Sequence, residues 1–533
     1  MMRRTRLRAG IVVAGALAVA ACGSGRSINE AGFDPIAPAP PAAADQSAGG
    51  DTNADGTYTS TDGATTTEAT GDSPTSTVET TPAPTTTAVP VEELEPCPVD
   101  ALDNADGPVE VTMWFGLSGD LPDVLNALAA EYNASQDRVV LNLENQTDYE
   151  AVVDKFTQFG VNERPELLIS PEFTTQAFAQ SGQFVPLESC INTAGYDTST
   201  FLTGALSAYS FSGNQWGLPF NASNPVLYYN RVLFEAAGLD PDDPPLTFDE
   251  LRETSQVLVD SGVAANGFVV DNARDSGTGG AAFEQWFARS GAFFADNGNG
   301  RLAPATGVNL NDPAGVEIMT FLADMLASAL SVSVGDNAGG QAVLLKLADG
   351  ENPAVMAVET SAALGTVKAA LDAGLIPGIG SDDIGVAPMP GPSDMAAAQI
   401  GGGSFWIPAG KSDEQIAAAW DVVQFMVSAQ SQSSWADGTG YVPVRTDALD
   451  LEPLATTYVD DPRFRVAYDQ LLTAGDEPVA SRPILGPQRE IRQVVADAIA
   501  RVYADPAGAD IIAILNEADA EADAIITNYN RLN

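Results

Sequence analysis

Val109-Glu-Val-Thr-Met-Trp114 alternates apolar and polar positions as a half-buried strand does, and Gly116-Leu-Ser-Gly119 follows it as a loop. The next run predicts a helix capped by Asp120, with Pro122 in its first turn and Leu121, Val124, Leu125, Leu128 and Tyr132 on one face. Val139 to Leu143 and Leu167 to Ile169 predict two further strands. Strand, helix, strand, helix, strand is the order of a doubly wound α/β lobe. Downstream, Phe248 to Ser261, Ala314 to Ala329, Glu414 to Ser428, Pro487 to Tyr503 and Ala507 to Tyr529 all carry helical periodicity and imply a second, more helical lobe.

Composition narrows what such a chain can do. Its 533 residues allow two or three domain-sized units at roughly 100 to 200 residues each. The 24 Lys and Arg against 72 Asp and Glu give a net charge of −48, with no histidine at all. So acidic a surface repels phosphate backbones, which argues against nucleic acid as a partner. Without an imidazole there is no Ser-His-Asp, Cys-His or His-zinc site. No metal and no cofactor is expected.

The N-terminus carries an address. Arg3, Arg4, Arg6 and Arg8 precede an apolar run from Ala9 to Ala21, and Cys22 follows Val19-Ala-Ala21 directly. A basic start, a short apolar core and a small-residue cleavage site read as an export signal over 1–21, too short to span a bilayer. The cysteine resembles the lipid-modified first residue of a bacterial lipoprotein, which predicts a chain anchored at the extracytoplasmic face of the membrane through lipid alone. Residues 22–95, rich in Thr, Pro, Ala and Ser, read as a disordered stalk. The remaining thiols, Cys97 and Cys190, are expected to pair in an oxidising compartment. Residues 96–533 then form the folded region.

Several motifs along that region carry a family resemblance. Gly217-Leu-Pro-Phe-Asn221-Ala-Ser223-Asn-Pro-Val-Leu-Tyr228-Tyr229-Asn230-Arg231 is followed by Phe234-Glu-Ala-Ala-Gly238-Leu-Asp240-Pro241 and Thr247-Phe248-Asp-Glu250-Leu251. Gly401-Gly-Gly-Ser-Phe-Trp406 and Thr439-Gly-Tyr441-Val-Pro-Val-Arg445 come later, in the same order. Together they resemble the extracellular solute-binding proteins of carbohydrate-type ABC importers, over roughly 108–500. The resemblance implies an α/β, two-lobe, type II periplasmic-binding-protein-like fold with hinge-linked lobes. It places one lobe at about 108–218 and 352–402, and the other at about 219–351 and 403–533.

Within the family the chain is most similar to the glycerol-3-phosphate-binding proteins. That subgroup's pattern implies ligand roles for Tyr149, Glu172, Ser223, Thr360, Gly402, Tyr441 and Arg492; Trp114 is a further candidate that core packing claims equally. Arg492 suits a bidentate bond to a phosphate, Ser223 and Thr360 offer hydroxyls, and Gly402 lets the backbone approach. Tyr149 and Tyr441 offer faces and hydroxyls to a polyol whose hydroxyls Glu172 can accept. The competing reading of Arg492 is an ion pair near Glu490 or Asp497. Where the subgroup has a pair of tryptophans, this chain has Asp275-Ser-Gly-Thr-Gly-Gly280, which implies a wider pocket suited to a glycerophosphodiester with a head group.

The resemblance thus implies a monomeric, non-catalytic receptor that hands a small phosphorylated polyol to ABC permease subunits. A receptor for a neutral mono- or oligosaccharide is the alternative on the same fold. A secreted glycosidase would need two placed carboxylates, and no constellation selects a pair. A surface adhesin would lack a closing cleft.

Overall fold

The computed structural model describes residues 94–533, apart from Ser276, 338–340, Pro377 and Asp476. The expected export signal, Cys22 and most of the expected stalk lie outside the described residues. Among the described residues thirteen strands form: β1 (Val109–Phe115), β2 (Val139–Asn145), β3 (Leu167–Pro171), β4 (Phe184–Val185), β5 (Ser210–Phe211), β6 (Asn214–Gln215), β7 (Leu218–Ser223), β8 (Pro225–Asn230), β9 (Asn266–Val270), β10 (Ser331–Ser333), β11 (Ala354–Thr360), β12 (Ile384–Pro388) and β13 (Gly401–Pro408).

The first sheet runs β2-β1-β3-β13-β4, with β7 also paired to β13. Its β1 is parallel to β2 and β3, as the opening strand–helix–strand pattern requires, while β13 returns antiparallel between β3 and β7. Val111, Met113 and Phe115 enter the main core, whereas Trp114, on the other face of β1, packs with Val152, Phe156, Leu168, Phe178, Phe184 and Trp406. The second sheet runs β10-β9-β11-β8-β12. One face of it joins the main core through Tyr228, Val269 and Ala357; the other meets helices Ala281–Arg289, Pro313–Ala327, Gln488–Ala504 and Ile511–Leu532.

These pairings correct the expected lobe boundaries. β11 and β12, inside the stretch 352–402 assigned to the first lobe, pair with β8 in the second sheet, and β7 and β13 belong to the first. The chain therefore crosses between sheets at Asn224, between β7 and β8, and crosses back between Pro388 and Gly401. The helix Asp413–Met426, expected in the second lobe, packs on β1 and in the main core. A strand such as β11, apolar and buried along almost its whole length, fits the middle of either sheet, so its pattern names no partner.

Local chemistry sets the element ends. The helix Phe248–Asp260 starts with a capping box: Thr247 Oγ1 accepts the Glu250 N–H at 3.2 Å, and Glu250 Oε2 accepts the Thr247 N–H at 3.0 Å. The helix Leu121–Ser135 begins where expected, with Pro122 in its first turn, but Asp120 makes no side-chain capping bond. Cys97 and Cys190 form a disulfide across a separation of 93 residues. Beside it, Ser189 Oγ donates to the Glu95 carbonyl at 2.7 Å, so the start of the folded region is held to the helix Leu187–Ala194.

Candidate functional site

Register brings the first pieces together. Gly403 pairs with Pro171, which sets Gly402 beside Glu172, the first residue past β3. Gly402 has φ +120°, and a Cβ there would stand 1.9 Å from the Asn221 carbonyl oxygen, so only glycine fits. Its N–H donates to Glu172 Oε2 at 3.2 Å. Both residues belong to the first sheet's lobe.

The other lobe supplies the charges. From the helix Gln488–Ala504, Arg492 Nη2 donates to Glu172 Oε1 at 3.0 Å and to Glu284 Oε2 at 3.0 Å, and its Nε donates to Glu284 Oε1 at 2.8 Å. Arg482 Nη2 reaches the same two carboxylates, at 2.8 Å from Glu284 and 3.0 Å from Glu172. Gln488 Nε2 adds a bond to Glu284 Oε1 at 3.2 Å. Two guanidiniums and two carboxylates thus share one buried cluster, with each side chain at most 7% exposed. Burial pushes the Glu172 carboxyl up to about 7, against the pull of Arg492 and the Gly402 N–H. Burial would lower Arg492, but Glu284, Glu172 and Asp275 outweigh it and raise its pKa.

A polar and aromatic group adjoins this cluster. Asn221 Nδ2 donates to the Tyr149 hydroxyl at 2.6 Å, and Asn221 Oδ1 is buried with no partner among the described residues. The Tyr209 hydroxyl, also buried, has none either. Tyr441 stacks on Trp435 with centroids 5.5 Å apart, and the following Val442 N–H is pinned to the Ala222 carbonyl at 2.7 Å. Burial raises the Tyr149, Tyr209 and Tyr441 hydroxyls, so all three are neutral donors and acceptors. Unpartnered buried polar atoms are costly, and at a functional site they stand ready for a solute's hydroxyls.

A family model, that of the bacterial extracellular solute-binding proteins, matches residues 127–465. This chain belongs to that family. The sn-glycerol-3-phosphate-binding periplasmic protein UgpB of Shigella flexneri is 26% identical over 412 residues, covering 75% of this chain and 89% of that one. Its counterpart in Pectobacterium atrosepticum is 26% identical over 411 residues, with 75% and 87% covered. Among solved structures, UgpB of Mycobacterium tuberculosis in complex with glycerophosphocholine matches with a TM-score of 0.63 at 21% identity, covering 80% of this chain and all 100% of that one. The GacH receptor of Streptomyces glaucescens, solved unliganded and with acarbose, matches with a TM-score of 0.64 at 20% identity, covering 79% and 99%. The fold is accordingly the two-lobed type II periplasmic-binding-protein fold.

In this solute-binding protein five of the expected residues, Tyr149, Glu172, Gly402, Tyr441 and Arg492, converge. Arg492 pairs with Glu172 and Glu284 rather than with the Glu490 or Asp497 neighbourhood. Ser223 closes β7 opposite Gly401, where a Cβ would lie 3.9 Å from Ser223 Oγ and 3.8 Å from Arg482 Nη1. Thr360 closes β11 opposite Pro225, but its hydroxyl accepts the Ala362 N–H at 3.3 Å and so caps its own turn. Trp114 is not brought to the cluster. It is 3% exposed, with the Lys155 ammonium 3.8 Å from its ring centroid and Phe159 against its edge, a packing role that the alternation of β1 already allowed.

Arg482, Glu284, Asn221 and Tyr209 join the cluster without having been expected from the sequence. Asn221 lies inside the Gly217–Arg231 motif, and a buried glutamate in the helix Ala281–Arg289 is itself a signal. Arg482 sits in no periodic element and had none. In place of the tryptophans, the loop after β9 sets charge at the rim: Arg274 Nη2 lies 2.8 Å from Glu150 Oε1, and Asp275 Oδ1 lies 3.8 Å from Arg492 Nη1.

Proposed function

We propose that this solute-binding protein captures glycerol 3-phosphate or a glycerophosphodiester between its lobes and delivers it to the permease of an ABC importer. In this reading it works as a monomer without catalysing a reaction, held at the outer face of the membrane by lipid on Cys22. The observation that carries the reading is the Glu172–Arg492–Glu284 cluster, in which the first lobe's Glu172 and Gly402 meet the second lobe's arginine. Arg492 offers a planar fork to a phosphate, Gly402 and Ser223 offer further donors, and Tyr149, Asn221 and Tyr441 line the polyol end. The relatives named for glycerol 3-phosphate agree with this assignment, and the charged loop 274–275, in place of aromatic walls, suits a polar head group.

One observation favours a neutral sugar instead. The two guanidiniums are already balanced by two carboxylates, so the cluster presents no net positive charge to an anion. Titration calorimetry of the protein with glycerol 3-phosphate, glycerophosphocholine and maltose, repeated on Arg492→Ala, separates the two. Binding of a phosphate compound that vanishes in the variant supports the proposal; binding of maltose alone, unchanged in the variant, replaces it with the sugar reading.

A further inference from the structure

Arg482 lies outside every helix and strand, yet its position is imposed from all sides. Its carbonyl accepts two bonds from Arg301, from Nε at 3.0 Å and from Nη2 at 2.7 Å. Two residues on, the Ile484 N–H donates to the Asn299 carbonyl at 2.9 Å. The side chain is 3% exposed; its Nη1 donates to the Ile400 carbonyl at 2.9 Å, directly before Gly401 and Gly402 at the start of β13, and its Nη2 touches both Glu284 and Glu172. The Nε–H is buried and has no partner among the described residues. A guanidinium so enclosed ordinarily has its N–H groups satisfied, and leaving one unmade in a buried site is costly.

Charge points the same way. Arg492 alone would face Glu172 and Glu284 with one positive charge against two negative ones, and a phosphate would be repelled. Arg482 restores the balance, and once Glu172 holds a proton the cluster becomes positive. The burial that raises the Glu172 carboxyl brings that protonation within reach near neutral pH. Arg482 Nη2 and Arg492 Nη2 share the same two carboxylates, so the unpartnered Nε–H belongs to the guanidinium next to the Arg492 fork.

We propose that Arg482 is a second ligand-directed guanidinium of this site, donating its free Nε–H to an anionic oxygen of the solute beside Arg492. It thereby sets the preference for a phosphorylated solute over a neutral one. The proposal rests on the phosphate reading above, and its test tells the two apart.

The test titrates glycerol 3-phosphate, glycerophosphocholine and maltose into the wild-type protein, Arg482→Gln and Arg482→Lys. Lysine keeps a positive charge for Glu284 and Glu172, leaves the partners of Arg492 in place and removes the Nε–H. If Arg482 binds the solute, Arg482→Lys loses roughly tenfold to a hundredfold in affinity for the phosphate compounds, the worth of one charge-assisted hydrogen bond. If Arg482 only neutralises Glu284, Arg482→Lys binds them like the wild type, and the proposal is overturned while the phosphate reading stands. Wild-type protein that binds maltose and neither phosphate compound overturns both. A crystal structure of the wild type with glycerol 3-phosphate gives a check free of variants. The proposal expects a phosphate oxygen about 3 Å from Arg482 Nε; a guanidinium that contacts only Glu284, Glu172 and Ile400 contradicts it.

Discussion

Arg492 Nη2 stands 3.0 Å from Glu172 Oε1, and this ion pair joins a helix of the second lobe to the turn after β3 in the first. Arg492 also holds Glu284, so removing it leaves buried carboxylates short of a cation. Breaking a buried pair from one side costs about 3 to 5 kcal/mol. Arg492→Gln should therefore lower the denaturation midpoint as well as abolish binding of phosphate compounds. Adding Glu284→Gln should recover much of the stability and none of the binding. Recovery of binding in that double variant would show that Arg492 is structural only.

A phosphate that takes the Arg492 fork leaves Glu172 with only Arg482, which it shares with Glu284, and beside a new negative charge. Both effects raise a carboxyl already pushed up to about 7. Near pH 8 Glu172 starts mostly ionised, so binding of glycerol 3-phosphate should take up close to one proton. Calorimetry in two buffers of different ionisation enthalpy reads this directly. Maltose should bind without uptake, and Glu172→Gln should abolish uptake for phosphate ligands. A proton count of zero for wild type with glycerol 3-phosphate at pH 8 refutes the prediction.

Outside the site, Asp271 and Glu359 form a second buried pair of acids. Asn337 Nδ2 bridges them, at 3.2 Å from Asp271 Oδ2 and 3.4 Å from Glu359 Oε2. Burial pushes Asp271 up to about 6 and, with the added charge of Asp271, pushes Glu359 up to about 8; the neighbouring Tyr503 and Tyr228 hydroxyls bring no positive charge. Acids whose folded pKa exceeds the unfolded value bind more protons when folded. Their contribution is most favourable at low pH and is lost as pH rises from about 4 through 8. The melting temperature should therefore be higher at pH 5.5 than at pH 8.5, by on the order of 5 °C. Surface repulsion in so acidic a chain acts in the same direction, so Glu359→Gln is the control: it should remove much of the difference.

Two arginines of the second lobe, Arg274 and Arg489, meet the first lobe's helix Tyr149–Gln158 at Glu150, and Arg489 Nη1 also lies 3.4 Å from Asp154. The contacts are partly exposed, worth about 0.2 to 1 kcal/mol each, and salt screens them. They act as a weak latch between lobes. Glu150→Gln/Asp154→Asn should raise the ligand-free radius of gyration in small-angle scattering, and high salt should do the same to the wild type. Equal radii across all conditions would rule the latch out.

Helix positions were legible because a one-sided apolar stripe at helical spacing admits one reading, as in Phe248–Asp260. The crossovers were not. The pattern of β11 states that it is buried, while its partner is decided by register with β8 and β9, which no local run of residues encodes. The site was half legible for the same reason. Glu172, Gly402, Tyr441 and Arg492 carried motifs, but Arg482 acquires its role only when the chain before the helix Gln488–Ala504 folds back against Ile400.

The disulfide tests whether stability and binding are separable. Cys97 and Cys190, both buried in the main core, close a loop across 93 residues, and no bond connects them to the Glu172 cluster among the described residues. In the chain-entropy model a loop of that length stabilises by about 4 to 5 kcal/mol. Cys97→Ala/Cys190→Ala should shift the denaturation midpoint by that order and free the segment before β1, while the affinity for glycerol 3-phosphate stays within about twofold, as expected for distant sites. Denaturant titration and calorimetry on the same preparation measure both. A large loss of affinity at unchanged global stability would mean that the covalent tie positions the first lobe's half of the site and that stability and binding are not separable.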